Sequence, residues 1–304
     1  MTWVLVLLLG LLAVPLTIEY MRTPMTDRRQ AEAPGKLATL SQGVTHYTWL
    51  GPARGPVAVC VHGLTTPSFV WHGLAKGLAL MGYRVLIYDH FGRGYSSTVR
   101  GLQDAAFFVT QLEDLLAHEN VEEPVLLIGY SMGGAVAACF AAKHGERVSR
   151  LVLLASAGMA LVDVPVLRIA RDVPVIGDWL FLAVYPIVLR RGIVAEAELP
   201  KSVEGMTHMM QAETTRRGYF PAALSSLRGV LRASLKAEHT AIADAGVPVL
   251  AVWGENDDLI TPAAQDQLAA WNPDAAQAVI AGSGHGVTYT HTDDVVAQIK
   301  AWIG

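Results

Sequence analysis

The chain of 304 residues is long enough for one large α/β domain with an insertion, or for two smaller domains. Hydrophobic residues make up 52% and charged residues 16%, which excludes a disordered chain. Twenty-three basic against 27 acidic side chains, with no basic stripe, argue against nucleic acid as a partner, and two cysteines are too few for a disulfide scaffold or a cysteine-rich metal site.

The first element is an apolar run, Trp3 to Ile18, in which Thr17 is the only polar residue. A membrane-spanning helix needs about 17–25 such residues and a signal-peptide core about 7–15, so the run sits on the border. No basic residue precedes it and no small-x-small cleavage site follows closely. The expectation is therefore an uncleaved membrane anchor over residues 1–21. A cleaved signal, leaving a secreted or periplasmic body, and an apolar helix packed on the body are the alternatives. Arg22, Arg28, Arg29 and Lys36 follow the run, and the positive-inside bias then places the body in the cytoplasm. Residues 22–42, polar, aperiodic and punctuated by Pro24, Pro34 and Gly35, read as a linker.

Beyond the linker, short apolar runs alternate with longer Ala/Leu-rich segments. The predicted strands are Val57–Val61, Arg84–Tyr88, Val125–Ile128, Leu151–Leu154, Val247–Val252 and Ala278–Ile280; the predicted helices are Trp71–Met81, Ala105–His118, Gly133–Lys143 and Asp293–Ile303. This alternation is the pattern of a mostly parallel sheet covered by helices on both faces. It breaks between Ala155 and Asp244, where Arg- and Leu-rich sequence with five prolines reads as a helical insertion. The expected organisation is a core over 43–158 and 245–304, interrupted by a helical cap over 159–244.

Gly129-Tyr130-Ser131-Met132-Gly133-Gly134 follows a predicted strand and precedes a predicted helix. A serine at such a turn stands on a strained backbone with its hydroxyl exposed, and the flanking glycines make room for the turn. A nucleophilic serine needs a base. His285 stands in the glycine-rich loop Gly282–Gly286, directly after the last predicted strand. An acid to orient it belongs between the two, and Gly254-Glu255-Asn256-Asp257-Asp258 ends another predicted strand. Asp257 is the candidate; its neighbour Asp258 remains a rival, and Glu255 fits less well. The oxyanion hole is assigned to the backbone N–H groups of Met132, after the nucleophile, and Leu64, in the loop after Val57–Val61. His62, in the same loop, is read as a tie that holds it by hydrogen bonds.

Together these motifs, and Asp89-His90-Phe91-Gly92-Arg93-Gly94-Tyr95-Ser96, which is similar to a D-x-x-G-x-G-x-S loop, resemble the α/β-hydrolase family over residues 44–304. The resemblance implies a Ser131–Asp257–His285 triad under a cap. Members that use an aspartate nucleophile are excluded by Ser131. Gly92-Arg93-Gly94 lacks the third glycine of a dinucleotide fingerprint, and the ten histidines show no ligand spacing, so neither cofactor nor metal is expected.

Val175–Leu189 is almost wholly apolar, with Pro186 expected to break it and Arg190-Arg191 following. It reads as a cap helix packed on the core, or as a lid lining an acyl pocket or touching a bilayer surface. His208-Met209-Met210 is a possible pocket lining, and Cys60 and Cys139 read as buried apolar residues. The expected activity is hydrolysis of lipophilic carboxylic esters, such as a monoacylglycerol or a medium-chain ester. A carbon–carbon bond hydrolase with the same triad and a non-catalytic ligand receptor on the same fold are the rivals.

Overall fold

The computed structural model of the chain describes residues 2–159 and 164–304. Eight strands form one sheet: β1 (Lys36–Leu40), β2 (Gly43–Leu50), β3 (Val57–Val61), β4 (Arg84–Tyr88), β5 (Val125–Tyr130), β6 (Val148–Leu154), β7 (Val249–Gly254) and β8 (Ala276–Ile280). Their order across the sheet is β1-β2-β4-β3-β5-β6-β7-β8. β1 and β2 pair antiparallel, as do β2 and β4, and every other pair is parallel.

β3, β5 and β7 are buried along their whole length, because helices cover both faces. The period of two divides their side chains between two cores. Val57, Val59 and Val61 join one with Phe108, Leu112, Val136, Phe140 and Leu268. Ala58 and Cys60 join the other with Trp71, Leu74, Leu78, Val295 and Ile299. Cys60 and Cys139 are both buried and unbridged.

The helices, in chain order, are α1 (Thr2–Met21), α2 (Asp27–Gln30), α3 (His72–Leu80), α4 (Ala105–His118) and α5 (Met132–Lys143), then α6 (Pro165–Asp172), α7 (Ile176–Ala195), α8 (Met206–Glu213), α9 (Tyr219–Arg228) and α10 (Lys236–Asp244), and finally α11 (Ala263–Trp271), α12 (Val287–Thr290) and α13 (Thr292–Ile303). Asp104 caps α4 by accepting from Phe107 N at 2.9 Å. α6 to α10 lie between β6 and β7. Ala170 of α6, Phe181 of α7 and Tyr219, Phe220, Ala223 and Leu224 of α9 build a third apolar cluster. The start of the expected cap, residues 160–163, lies outside the described residues.

Three expectations change here. Among the described residues, no helix is long and apolar enough to cross a membrane, which overturns the membrane anchor over 1–21 and the cytoplasmic orientation drawn from it. The physical reason lies in α1 itself. Its apolar run is short, and its C-terminal half is tied to the body: Trp179 of α7 donates to Leu12 O at 2.9 Å, and Glu19 accepts from Gly218 N at 2.7 Å and pairs with Arg22 at 2.9 Å. Second, α7 continues through Pro186. Packing of Phe181 and Tyr185, stacked at 4.4 Å, against Phe220 of α9 holds the turn of helix that leads into the proline. Third, α2 and β1 occupy part of the stretch read as a linker.

Candidate active site

Ser131 is the single residue between β5 and α5, with φ 53° and ψ −119°. A non-glycine residue there costs on the order of 1–3 kcal/mol and persists only when its surroundings dictate it. Ser131 N donates to Leu154 O at 2.9 Å, and Ser131 O accepts from Gly134 N at 2.9 Å and Ala157 N at 3.0 Å. Two glycines are required by close approach. A Cβ on Gly129 would stand 2.4 Å from Gly133 O, and one on Gly133 would stand 1.9 Å from Val61 O. β5, α5 and the end of β3 can therefore meet only with hydrogen at these positions.

The loop after β8 brings His285 to the serine, with Nε2 3.0 Å from Ser131 Oγ and Nδ1 2.8 Å from Asp257 Oδ2. The carboxylate accepts at Nδ1, so the proton sits there and Nε2 is free to accept from the hydroxyl. Asp257 is 7% exposed, and its other oxygen accepts from Leu259 N and Ile260 N, both at 2.9 Å. The rival acids are placed differently. Asp258 is exposed. Glu255 accepts from Gly282 N at 2.8 Å and so braces the backbone of the histidine loop. Behind His285 lie two tyrosines that sequence patterning does not single out. Tyr130 Oη donates to His285 O at 3.2 Å, and Tyr289 Oη donates to Glu196 Oε2 at 3.1 Å. A cleft of about 220 Å³ runs along His285 between Glu196, Leu199 and Pro200 and the glycines of its loop.

The loop after β3 lies against the nucleophile: a Cβ on Gly63 would be 3.3 Å from Ser131 Cβ. Among the described residues, the N–H groups of Leu64 and Met132 have no hydrogen-bond acceptor. Met132 N is also the first N–H of α5, where the helix dipole favours negative charge. His62 is fully buried; Nδ1 donates to Gly63 O at 2.7 Å and Nε2 accepts from His90 N at 2.9 Å. Burial pushes its pKa down to about 4, so the ring is neutral and both nitrogens are spent on the backbone.

The Asp89–Ser96 loop supports the site from below. Asp89 accepts from Ser68 N at 2.8 Å, Tyr95 N at 2.9 Å and His46 Nδ1 at 2.7 Å. Burial alone would raise its pKa, but the His46 bond and charge, with the backbone donor, hold it at about 2. Of the remaining sequence candidates, Met210 is buried in the Trp71 core, while His208 is exposed.

A mostly parallel sheet flanked by helices, with a strained serine between strand and helix, defines an α/β hydrolase architecture. The family model described as the alpha/beta hydrolase fold matches residues 56–292, and the chain belongs to that family. The chain is 26% identical over 294 residues to the cis-3-alkyl-4-alkyloxetan-2-one decarboxylase of Shewanella oneidensis, covering 88% of each chain. It is 24% identical over 283 residues to Lipase 1 of Psychrobacter immobilis, covering 91% of this chain and 86% of the lipase. Among solved structures, the enol-lactonase from Burkholderia xenovorans superposes with a TM-score of 0.70 at 21% identity, over 88% of this chain and 99% of the lactonase.

Proposed function

We propose that the protein is a serine hydrolase of lipophilic carboxylic esters. The observation that carries this reading is the unbroken line Asp257 Oδ2–His285–Ser131 Oγ, with separations of 2.8 and 3.0 Å. Ser131 Oγ attacks the ester carbonyl as His285 Nε2 takes its proton, while Asp257 stabilises the imidazolium. The N–H groups of Leu64 and Met132 donate to the developing oxyanion, an interaction whose loss costs about 10²–10³-fold in rate per donor in comparable sites. The C–O bond then breaks, and His285 returns the proton to the leaving alcohol. Water, deprotonated by His285, adds to the acyl-serine, and the acid leaves with Ser131 restored.

Support for a lipophilic acyl group comes from the surroundings of Leu64. Leu64 packs with Leu167, Leu182, Tyr185 and Leu189 against the apolar cluster of α6, α7 and α9. An apolar chain extending from a carbonyl held at Leu64 N–H meets hydrocarbon there rather than charge. The similarity to a lipase points the same way.

The test is hydrolysis of p-nitrophenyl esters from acetate to palmitate by the full chain, with Ser131→Ala and fluorophosphonate labelling alongside. The expected result is turnover that peaks at a medium or long acyl chain, disappears in Ser131→Ala, and is matched by labelling of Ser131. Labelling without turnover at any chain length overturns the ester assignment and favours a carbon–carbon bond hydrolase on the same triad. Neither labelling nor turnover favours a ligand receptor.

A further inference from the structure

The backbone that would carry the Leu64 oxyanion donor is held in an unusual way. Three consecutive carbonyls, those of Gly63, Leu64 and Thr65, each accept from a different side chain: His62 Nδ1 at 2.7 Å, Arg93 Nε at 3.2 Å and Tyr219 Oη at 2.8 Å. A peptide unit is planar and trans, so the His62 bond to Gly63 O orients the Leu64 N–H directly, while the bonds to Leu64 O and Thr65 O orient the next two peptides and anchor the loop on the C-terminal side of that donor. His62 belongs to the loop itself. Tyr219 belongs to α9, one of the helices inserted between β6 and β7.

Arg93 joins the same two parts of the molecule. It is fully buried, and each of its five N–H groups is used. Nε takes Leu64 O; Nη1 takes Phe91 O at 2.9 Å and Gln103 Oε1; Nη2 takes Ala222 O at 3.3 Å and Ser226 Oγ at 2.7 Å. Ala222 and Ser226 lie on α9. All five acceptors are uncharged. A buried guanidinium without a carboxylate on its fork is costly, and an apolar side chain of similar volume would fill the space without that cost. The arrangement is therefore poorly explained by packing alone. Burial lowers its pKa to about 10, which leaves it cationic at neutral pH. α9 in turn packs Tyr219, Phe220 and Leu224 against Ala170 of α6 and Phe181 of α7. The helices over the site are thus wired to the loop beneath them through two side chains.

We propose that Arg93 and Tyr219 are positioning residues through which the inserted helices set the oxyanion hole: the seating of α9 fixes the Leu64–Thr65 backbone, and with it the strength of transition-state stabilisation. This rests on the serine-esterase reading of the same site. It places the control on kcat rather than on substrate affinity, because an oxyanion donor acts on charge that exists only in the transition state.

Tyr219→Phe keeps the ring and removes one hydroxyl; Arg93→Met removes the guanidinium but carries a greater risk of misfolding. Trp49→Phe, which loses its Nε1 bond to Glu119 at the antiparallel edge of the sheet, is the control. In the full chain, Tyr219→Phe is expected to lower kcat on a p-nitrophenyl ester about tenfold per fluorophosphonate-titrated site, with KM within twofold. The inhibition constant of a trifluoromethyl ketone, which adds to the serine as an oxyanion, should rise by the same factor. The pH midpoint of kcat/KM should stay in place. Hydrogen–deuterium exchange over residues 62–66 should quicken about fivefold or more, and Trp49→Phe should change none of these. In an active enzyme, unchanged kcat per site, or unchanged exchange at 62–66, overturns the coupling. If the wild-type chain hydrolyses no ester, the exchange measurement decides alone: quickening in Tyr219→Phe keeps the coupling while the esterase reading fails, and no quickening sinks both.

Discussion

The two histidine-bearing loops at the ends of β3 and β8 use the same side chain in opposite ways. His62 is sealed from water, and both of its nitrogens are bonded to backbone atoms, Gly63 O and His90 N. His285 is partly exposed, with one nitrogen on the Asp257 carboxylate and the other on the Ser131 hydroxyl. A ring with two backbone partners and a depressed pKa can only hold a shape. A ring with a carboxylate behind it and a hydroxyl in front can move a proton. The partner of the second nitrogen separates a strut from a base, and that partner comes from a distant part of the chain in both cases.

The comparison is broken most severely at the hydroxyl. Ser131→Ala should remove ester turnover by about 10⁴-fold or more while leaving thermal stability near that of the wild type, measured by kcat/KM and a melting curve. The next largest effect belongs to the carboxylate. Asp257→Asn should cost about 10³–10⁴-fold in kcat, because the amide no longer favours the required tautomer, whereas Asp258→Asn should stay within about threefold. Equal losses in the two variants would remove Asp257 from its assigned role.

His62→Ala sharpens the contrast from the other side. It leaves Gly63 O and His90 N unpaired in the interior and should cost about 2–4 kcal/mol of stability, read by urea titration, with a smaller loss of about 10–100-fold in kcat as the Leu64 peptide loosens. A further effect is a pH dependence. His62 titrates near 4 in the fold and near 6.5 when unfolded, so the unfolded chain binds more protons between those values. Its contribution is fully present above about pH 6.5 and is lost on acidification toward pH 4, about 3 kcal/mol in all. His62→Gln should flatten the stability-versus-pH curve in that window, and an unaltered slope would mean that the ring is not held neutral.

Much of the sheet was legible in the chain. β3 and β4 fall on their predicted ranges, and α4 matches residue for residue, because continuous apolar runs and a helical period are local signals. β1 and β2 carried no comparable signal: at the antiparallel edge their residues are partly exposed and their pattern is mixed. The apolar composition of residues 3–18 suggested a bilayer, yet α1 rests against α7 along one side, with Leu11, Leu12, Leu16 and Ile18 left largely exposed, since a hydrophobic run does not by itself specify a bilayer. Pro186 read as a breaker, and packing against α9 overrode it.

By itself the sequence determined the alternation of strands and helices, the serine turn with its obligatory glycines and the loop that carries His285, because each depends on neighbours within a few residues. The tertiary structure alone decided which of three acidic residues meets His285, that Glu255 braces the histidine loop, and that Arg93 and Tyr219 reach the carbonyls beside Leu64. Those contacts join residues far apart in the chain, and the backbone path that brings them within hydrogen-bond reach is set by the packing of the whole sheet and its covering helices.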